Sequence, residues 1–412
     1  MRLAILAGRL LTVALLAIAP GQAQAAETLR FLTNLAPPYQ EMVAGELDGT
    51  SMRALTCIMK RLDQRYEVGL APWLRAREQV RQGAAQGLFA VAPDRDADGD
   101  GRLSMPLALE RWVWVRPART GPMPSSWQGG GSIAAIIGSN QLKWLESQGA
   151  AVDGAARSAD QLLRMLLGGR VGTVLMGEAE LHYARQAGDI DAAALSVSFH
   201  RYMPLGVYFA GGFLKANPGF LERFDAEVPH CAAANMALSP TERRVALAVA
   251  QGVKEQLSRE YGLIPALLAA SRANGAVPVQ QIMAADQDFQ AHRTEQAYPA
   301  ALTLHDHPLT ALLSRLRAAS GGVVSEILLF DNVGMTLAAD PMPSDLWQAD
   351  EAKYSMTVPQ GPDAVFIDNI DFDQSTNQFS VQVSLTIAGD QPGQVIGGLT
   401  VGLNIERTLN PR

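Results

Sequence analysis

The stretch YEVGLAPWLRAREQVRQGAAQGLFAVAP (Tyr66–Pro93) decides how the N-terminal half of this chain folds. YEVGLAP reads as a strand, WLRAREQVRQG as a helix closed by Gly83, and GLFAVAP as the next strand. Strands separated by a helix of this length pair in parallel through a crossover rather than as a hairpin. The same alternation extends in both directions. Upstream, TLRFLTN (28–34) is a strand ending at Pro37-Pro38, and SMRALTCIMKRL (51–62) carries Met52, Leu55, Ile58, Met59 and Leu62 as a helical stripe. Downstream, RWVWVRP is a strand stopped by Pro117, and the Gly/Ser/Pro-rich break TGPMPSSWQGGG (120–131) precedes a second run. That run reads strand (SIAAIIGSN), helix (QLKWLESQG, N-capped by Ser139), helix (SADQLLRMLLGG), strand (VGTVLM), helix (EAELHYARQAG) and strand (LSVSFHRY). The reading is two α/β lobes joined near 116–121 and 199–206.

The texture changes at Ser239-Pro-Thr-Glu242, where a serine cap, a proline in the first turn and a glutamate three residues on mark a helix start. Helical pattern continues to about residue 319, with breaks near 262–265 and 274–278. After Gly321-Gly322 come VVSEILLFD, DAVFIDNIDFD, QFSVQVSLTIAG and QVIGGLTVGLNI, separated by Gly, Asn and Asp turns, as in an antiparallel sheet. A long helical leader feeding such a sheet predicts a separate α+β domain over 239–412.

At the N-terminus, Arg2 and Arg9 precede or flank the apolar run Leu10–Ala19, and Pro20 and Ala23-Gln24-Ala25 follow it. The run is too short for a spanning helix, which needs about 20 residues. It predicts an export signal over 1–25, cleaved after Ala25, and a periplasmic mature protein. The 412-residue chain carries a net charge of −7 and no basic block, which argues against a nucleic-acid partner. In an oxidising compartment its two cysteines favour one bridge, Cys57–Cys231, over two buried thiols.

LAPPYQ (35–40), APWLRAREQVRQG (71–83), LSMPLALERWVWV (103–115) and GGRVGTVLM (168–176) resemble the periplasmic solute-binding proteins of the polar amino acid type, family 3. The resemblance implies a type II periplasmic-binding-protein fold over 26–238, with lobe one about 26–118 and 205–238 and lobe two about 119–204. Such proteins close two lobes over a small polar solute. By the same resemblance, Tyr39 is a pocket aromatic, Trp73 and Arg75 open a helix at the cleft edge, and Arg95 grips a ligand carboxylate. Ser139 and Asn140 offer a helix start to an anion. Family members also carry an acidic residue that pairs with an α-ammonium; the corresponding segment here has Gly172 and Gly177, and only Glu178 is acidic. The family's ammonium clamp is therefore not expected, and organic acids are open as ligands ahead of an ordinary α-amino acid, as is the absence of any high-affinity ligand.

VVSEILLFDNVGMTL (323–337), PSDLWQADEAKY (343–354), DFDQSTNQFSVQVSLTI (371–387) and IGGLTVGLNIERTL (396–409) resemble a PDC/Cache sensor domain. That resemblance implies an extracytoplasmic sensing module, with Asp345, Trp347, Asp350 and Glu351 around its pocket and a homodimer contact through the helix at 240–259. The alternative for these four residues is an acidic surface loop with one packing tryptophan.

DRDADGDGRLS (94–104) places Asp96, Asp98 and Asp100 at positions 1, 3 and 5 of an EF-hand loop, with Gly101 at position 6. A strand precedes it, and position 12 is Leu107 rather than a carboxylate. The reading favours a solvated acidic connection that carries Arg95, with calcium on those three aspartates as the alternative; no other cofactor is expected. His305-Asp-His307 reads as a surface turn rather than half a zinc site. No G-x-S-x-G, H-E-x-x-H or P-loop is present, so the expectation is a binding protein and not an enzyme. It would recognise a small polar, carboxylate-bearing molecule and relay it to a membrane-bound signalling protein. The alternatives are an ABC-transporter substrate-binding protein serving a permease, and an exported enzyme on this scaffold.

Overall fold

The computed structural model describes residues 28–93, 101–121, 131–295 and 298–410. Lobe one begins with β1 (Leu29–Thr33), the hairpin β2 (Glu41–Val43) and β3 (Glu46–Asp48), α1 (Thr50–Arg61), β4 (Tyr66–Leu70), α2 (Trp73–Arg81) and β5 (Gly87–Val91). β1 lies between β4 and β5 and is parallel to both, as the strand–helix–strand reading requires. Its residues Leu29, Phe31, Leu32 and Thr33 are buried, the near-continuous burial of a strand covered on both faces. α1 lays Ala54, Leu55, Ile58 and Met59 against that sheet. Gly49, which caps α1, has φ +120°, and a Cβ there would lie 2.4 Å from the Tyr39 carbonyl oxygen. Only glycine lets the 36–40 turn rest on the start of α1, where Ser51 N–H donates to the Tyr39 carbonyl (3.1 Å).

The chain then forms β6 (Arg102–Leu103) and the ten-residue β7 (Ala108–Pro117), and enters lobe two. There it builds β8 (Ile133–Ile136), α3 (Asn140–Ser147), β9 (Val152–Ala156), α4 (Ala159–Leu167), β10 (Thr173–Gly177) and α5 (Glu178–Ala187). It returns along β11 (Leu195–Phe209), a strand of 15 residues. One path of pairing, β4-β1-β5-β11-β7-β10-β8-β9, runs through both lobes. Trp112–Val115 already pair with β10, while β11 meets β5 only from Gly206 onward. Between those points Ala108–Arg111 and Tyr202–Leu205 pair with each other, with a register shift between Phe199 and Arg201 just before. This two-stranded neck is the crossing between lobes. On β7 it lies earlier than the expected 116–121, because the strand continues unbroken into lobe two instead of ending at the boundary.

α6 (Gly211–Ala216) and α7 (Phe220–Ala232) complete lobe one. Cys57 of α1 and Cys231 of α7 form the expected disulfide, with Cα atoms 5.6 Å apart. The helical leader follows as α8 (Pro240–Ser258), α9 (Leu263–Gly275), α10 (Val279–His292), α11 (Pro299–Asp306) and α12 (Pro308–Ala319). Ser239 caps α8 with the reciprocal bonds read from sequence: its Oγ accepts from Glu242 N–H (3.3 Å) and its own N–H donates to Glu242 Oε2 (2.6 Å). His307 likewise caps α12, accepting from Leu309 N–H (3.2 Å), while His305 pairs with Asp306 at the surface.

The C-terminal domain has β12 (Val324–Asp331), β13 (Thr336–Asp340), α13 (Ala352–Ser355), β14 (Val365–Ile367), β15 (Asp371–Asp373), β16 (Gln378–Ala388), β17 (Val395–Asn404) and α14 (Ile405–Leu409). Its sheet is antiparallel, in the order β13-β12-β17-β16-β14 with β15 on β16, so the closing strand is central. α8 faces this sheet with Ala246, Ala250, Val253 and Leu257. The apolar face of α8 is thus packed against the chain's own sheet. A single apolar core runs from Phe31 and Phe209 of lobe one through these α8 residues to Val381 and Leu403.

Candidate functional site

Where the lobes face each other, a cavity of about 180 Å³ opens. Lobe one contributes the turn after β1, which contains the cis Pro37–Pro38 bond and presents Tyr39 and Gln40. It also contributes Trp73 at the start of α2 and Ala90 on β5, whose φ of 57° is a left-handed conformation unusual for a residue with a Cβ. Lobe two contributes Ser139, Asn140 and Gln141 at the start of α3, and Glu180 in the first turn of α5. Glu110 enters from the neck itself.

Two carboxylates dominate this floor. Glu110 Oε2 accepts from Trp112 Nε1 (2.8 Å), and its Oε1 accepts from Gln141 Nε2 (3.0 Å). Glu180 Oε2 accepts from Gly177 N–H (3.2 Å), the bond that caps α5. Gly177 has no side chain, and the space its Cβ would fill lies 2.9 Å from Glu110 Oε1 and 3.4 Å from Glu180 Oε2. Both acids therefore converge over one glycine. Burial pushes the Glu110 carboxyl up to about 7, and the charge of Glu180 adds to it against the bonds from Trp112 and Gln141. Burial raises Glu180 as well. Tyr39, held well above its ordinary value by burial and by Glu110, is a neutral phenol whose hydroxyl donates to the Leu109 carbonyl (3.4 Å).

Two residues that line the cavity also keep a buried donor without an acceptor. Gln40 is 1% exposed, and its Nε2 has no hydrogen-bond partner among the described residues; the same is true of Trp73 Nε1. A buried donor left unpaired costs about 1–3 kcal/mol. The Lys143 ammonium of lobe two stands 5.8 Å from the Trp73 ring centroid of lobe one, a cation–π contact across the cleft. The cavity thus has an aromatic wall and two converging carboxylates.

Of the residues expected at the cleft, Tyr39, Trp73, Ser139 and Asn140 meet here. The Ser139 hydroxyl is engaged as a cap, accepting from Leu142 N–H (3.1 Å). Arg75 is exposed on α2 and lines neither this cavity nor the next. Glu178 lines a wider crevice of about 700 Å³ together with Tyr39, Arg111 and His182, and burial raises its carboxyl. Arg95, Asp96, Asp98 and Asp100 lie outside the described residues. Among the described residues no group of three or more His, Cys, Asp or Glu is placed to hold a metal ion. Glu110, Glu180 and Gln40 were not anticipated. Only a glutamate interrupting the apolar LSMPLALERWVWV run hinted at the first of them.

In the C-terminal domain, the 343–351 segment is tied to its own scaffold. Asp286 of α10 accepts from the backbone N–H groups of Leu346 (2.6 Å) and Trp347 (3.0 Å), and Trp347 Nε1 donates to the Val333 carbonyl (3.0 Å). Asp345 Oδ1 accepts from buried Gln348 Nε2 (2.6 Å), Glu351 pairs with Lys353 (3.0 Å), and Asp350 is exposed. Each bond made by these four residues serves the fold of the segment.

No protein-family model matches the chain, and no curated protein does. Among solved structures, the chain is similar to the GluR0 ligand-binding core in complex with L-glutamate (16% identity, 51% of this chain and 94% of that one, TM-score 0.42). It is also similar to a histidine kinase sensor domain with similarity to periplasmic binding proteins (14%, 50% and 90%, 0.41). A third is an ABC uptake transporter substrate-binding protein from Streptococcus pneumoniae with bound histidine (12%, 50% and 89%, 0.41). Among the described residues no helix is long and apolar enough to cross a membrane.

Proposed function

We propose that this chain is an exported binding protein that closes its two lobes over a small zwitterion and reports the bound state to a membrane-bound signalling partner. The observation that carries the ligand class is the convergence of Glu110 and Glu180 over Gly177, in a cavity whose lining residues Gln40 and Trp73 keep unpaired donors. An ammonium placed between the two acids relieves their mutual repulsion and compensates their lost hydration. A carboxylate or other acceptor on the same molecule takes the orphaned donors, beside the positive end of α3 and Lys143. Trp73 and Tyr39 cover what lies between. Recognition of this kind needs no covalent chemistry, and we read the protein as a binder rather than an enzyme. Residues 239–412 we read as a Cache-like sensing module, on the long helix α8 leading into an antiparallel sheet whose closing strand is central.

Thermal unfolding of the mature protein against amino acids, simple amines and carboxylic acids tests this reading. A ligand that binds the native state raises the midpoint with its concentration. We expect amino acids to do so, and Glu110→Gln to abolish the shift. A shift with carboxylic acids alone would reject the ammonium site, and no shift with any of the three classes would reject the solute-binding reading.

A further inference from the structure

The neck between the lobes is held by the C-terminal domain. Arg111 of β7 and Tyr202 of β11 are register partners on the two crossing strands. Both close on one carboxylate, that of Glu242 in the first turn of α8. Arg111 donates from Nε to Oε1 (3.0 Å) and from Nη2 to Oε2 (3.1 Å), and the Tyr202 hydroxyl donates to Oε1 (2.7 Å). The same Arg111 Nη2 also reaches the Ala237 carbonyl (2.8 Å). From the other side, Tyr202 N–H donates to Glu406 Oε1 (2.7 Å), and the His200 carbonyl accepts from Asn410 Nδ2 (2.9 Å). Glu406 lies in α14 and Asn410 directly follows it. These two backbone groups flank the register shift between Phe199 and Arg201, where the ladder to β7 is interrupted. The Tyr202 ring packs on Phe379 of β16 at 5.4 Å, while His200 packs between Trp114 and Trp144 of lobe two.

We propose that the C-terminal domain is a clamp on this neck, so that closure of the lobes and the arrangement of α14 against β16 form one coupled equilibrium. Two lobes joined by two strands can change their angle only by rotating backbone in those strands. Here the rotating segment has its side chains fixed to α8 and its backbone fixed to α14. A change of lobe angle therefore either carries those helices with it or breaks bonds of a buried ion pair. By thermodynamic reciprocity, what the cleft does to the C-terminal domain, that domain does to the cleft. The inference gives the proposed solute reading an output, yet its geometry stands without any ligand.

Its test begins without ligand. Nitroxide labels at Leu74→Cys on α2 and Glu146→Cys on α3, both exposed sites in a chain whose native cysteines are bonded to each other, report the distance between lobes. Glu406→Ala with Asn410→Ala removes both bonds from the α14 side of the clamp while leaving the buried Arg111–Glu242 pair in place. Pulsed electron resonance should show a narrow distance distribution in the parent and a broadened or displaced one in the released variant. Superimposable distributions in two natively folded proteins would overturn the proposed coupling between lobe angle and α14.

Added L-amino acids provide a second arm. One that narrows the distance should alter hydrogen exchange at Phe379–Ser380 and Ile405–Leu409, and its dissociation constant should move at least about fivefold in the released variant. Closure without either effect overturns the coupling and leaves the solute reading intact. If no amino acid moves the labels, the zwitterion reading fails and the ligand-free comparison still decides the clamp.

Discussion

Glu110 owes its chemistry to its place on a strand that belongs to both lobes. Its raised carboxyl gives two pH effects with opposite uses. The folded, ligand-free protein takes up this proton more readily than the unfolded chain, whose glutamate keeps the ordinary value of 4.5. The stability it contributes is therefore present below that value and is lost as pH rises through about 7. An ammonium ligand needs the ionised form, so its affinity should run the other way. Below about 7 affinity should fall by roughly tenfold per pH unit, until the lowered value of the bound state is reached. Calorimetric titration with an amino acid ligand between pH 5 and 8 measures this, and Glu110→Gln should flatten the profile. Gly177→Ala tests the same geometry sterically. A Cβ 2.9 Å from Glu110 Oε1 must displace that oxygen, and binding should weaken while the circular dichroism of the fold is kept.

At the scale of elements, α8 does more than begin a domain. Its first turn contains an ordinary cap, Ser239, and a residue that both completes the cap and neutralises the neck, Glu242. Burial opposes the Glu242 charge, but Arg111, Tyr202 and the Ser239 N–H together hold its carboxyl below the usual value. The two substitutions should separate in denaturant titrations. Ser239→Ala should cost about 1 kcal/mol, the usual value of a lost cap. Glu242→Ala should cost about 3–5 kcal/mol, because it also leaves a mostly buried Arg111 without its counter-charge. Equal costs would mean that Glu242 acts only as a capping residue.

For the whole molecule, the shared core predicts shared unfolding. Lobe one and the C-terminal sheet draw on one apolar cluster, while lobe two has clusters of its own around Val113 and Trp112. Urea curves followed by Trp347 fluorescence, in a chain whose other tryptophans are replaced by phenylalanine, should coincide with those from a probe in lobe one. The Cys57–Cys231 bridge closes a loop of 174 residues and restricts the unfolded chain accordingly. Reducing it should lower stability by about 5 kcal/mol in the chain-entropy account, read as a shift of the same urea midpoint. Two separate transitions would mean that the core between lobe one and the sheet is in contact without being cooperative.

What the sequence determined was what neighbours along the chain determine. The strand–helix–strand rhythm of Tyr66–Pro93, the caps at Ser139 and Ser239 and the turn-separated strands after Gly322 follow from periodicity and local hydrogen bonding, which act within a few residues. Tyr39, Trp73, Ser139 and Asn140 were reached through the resemblance to the family 3 solute-binding proteins, which assigns a role to the turn after the first strand and to two helix starts. The carboxylates over Gly177 could not, because their meeting depends on β11 and β7 being laid between β5 and β10, an order that no local pattern encodes. For the same reason Glu242 read only as a cap. Only the packing of distant elements turned it into the partner of Arg111 and laid the apolar face of α8 on the chain's own sheet.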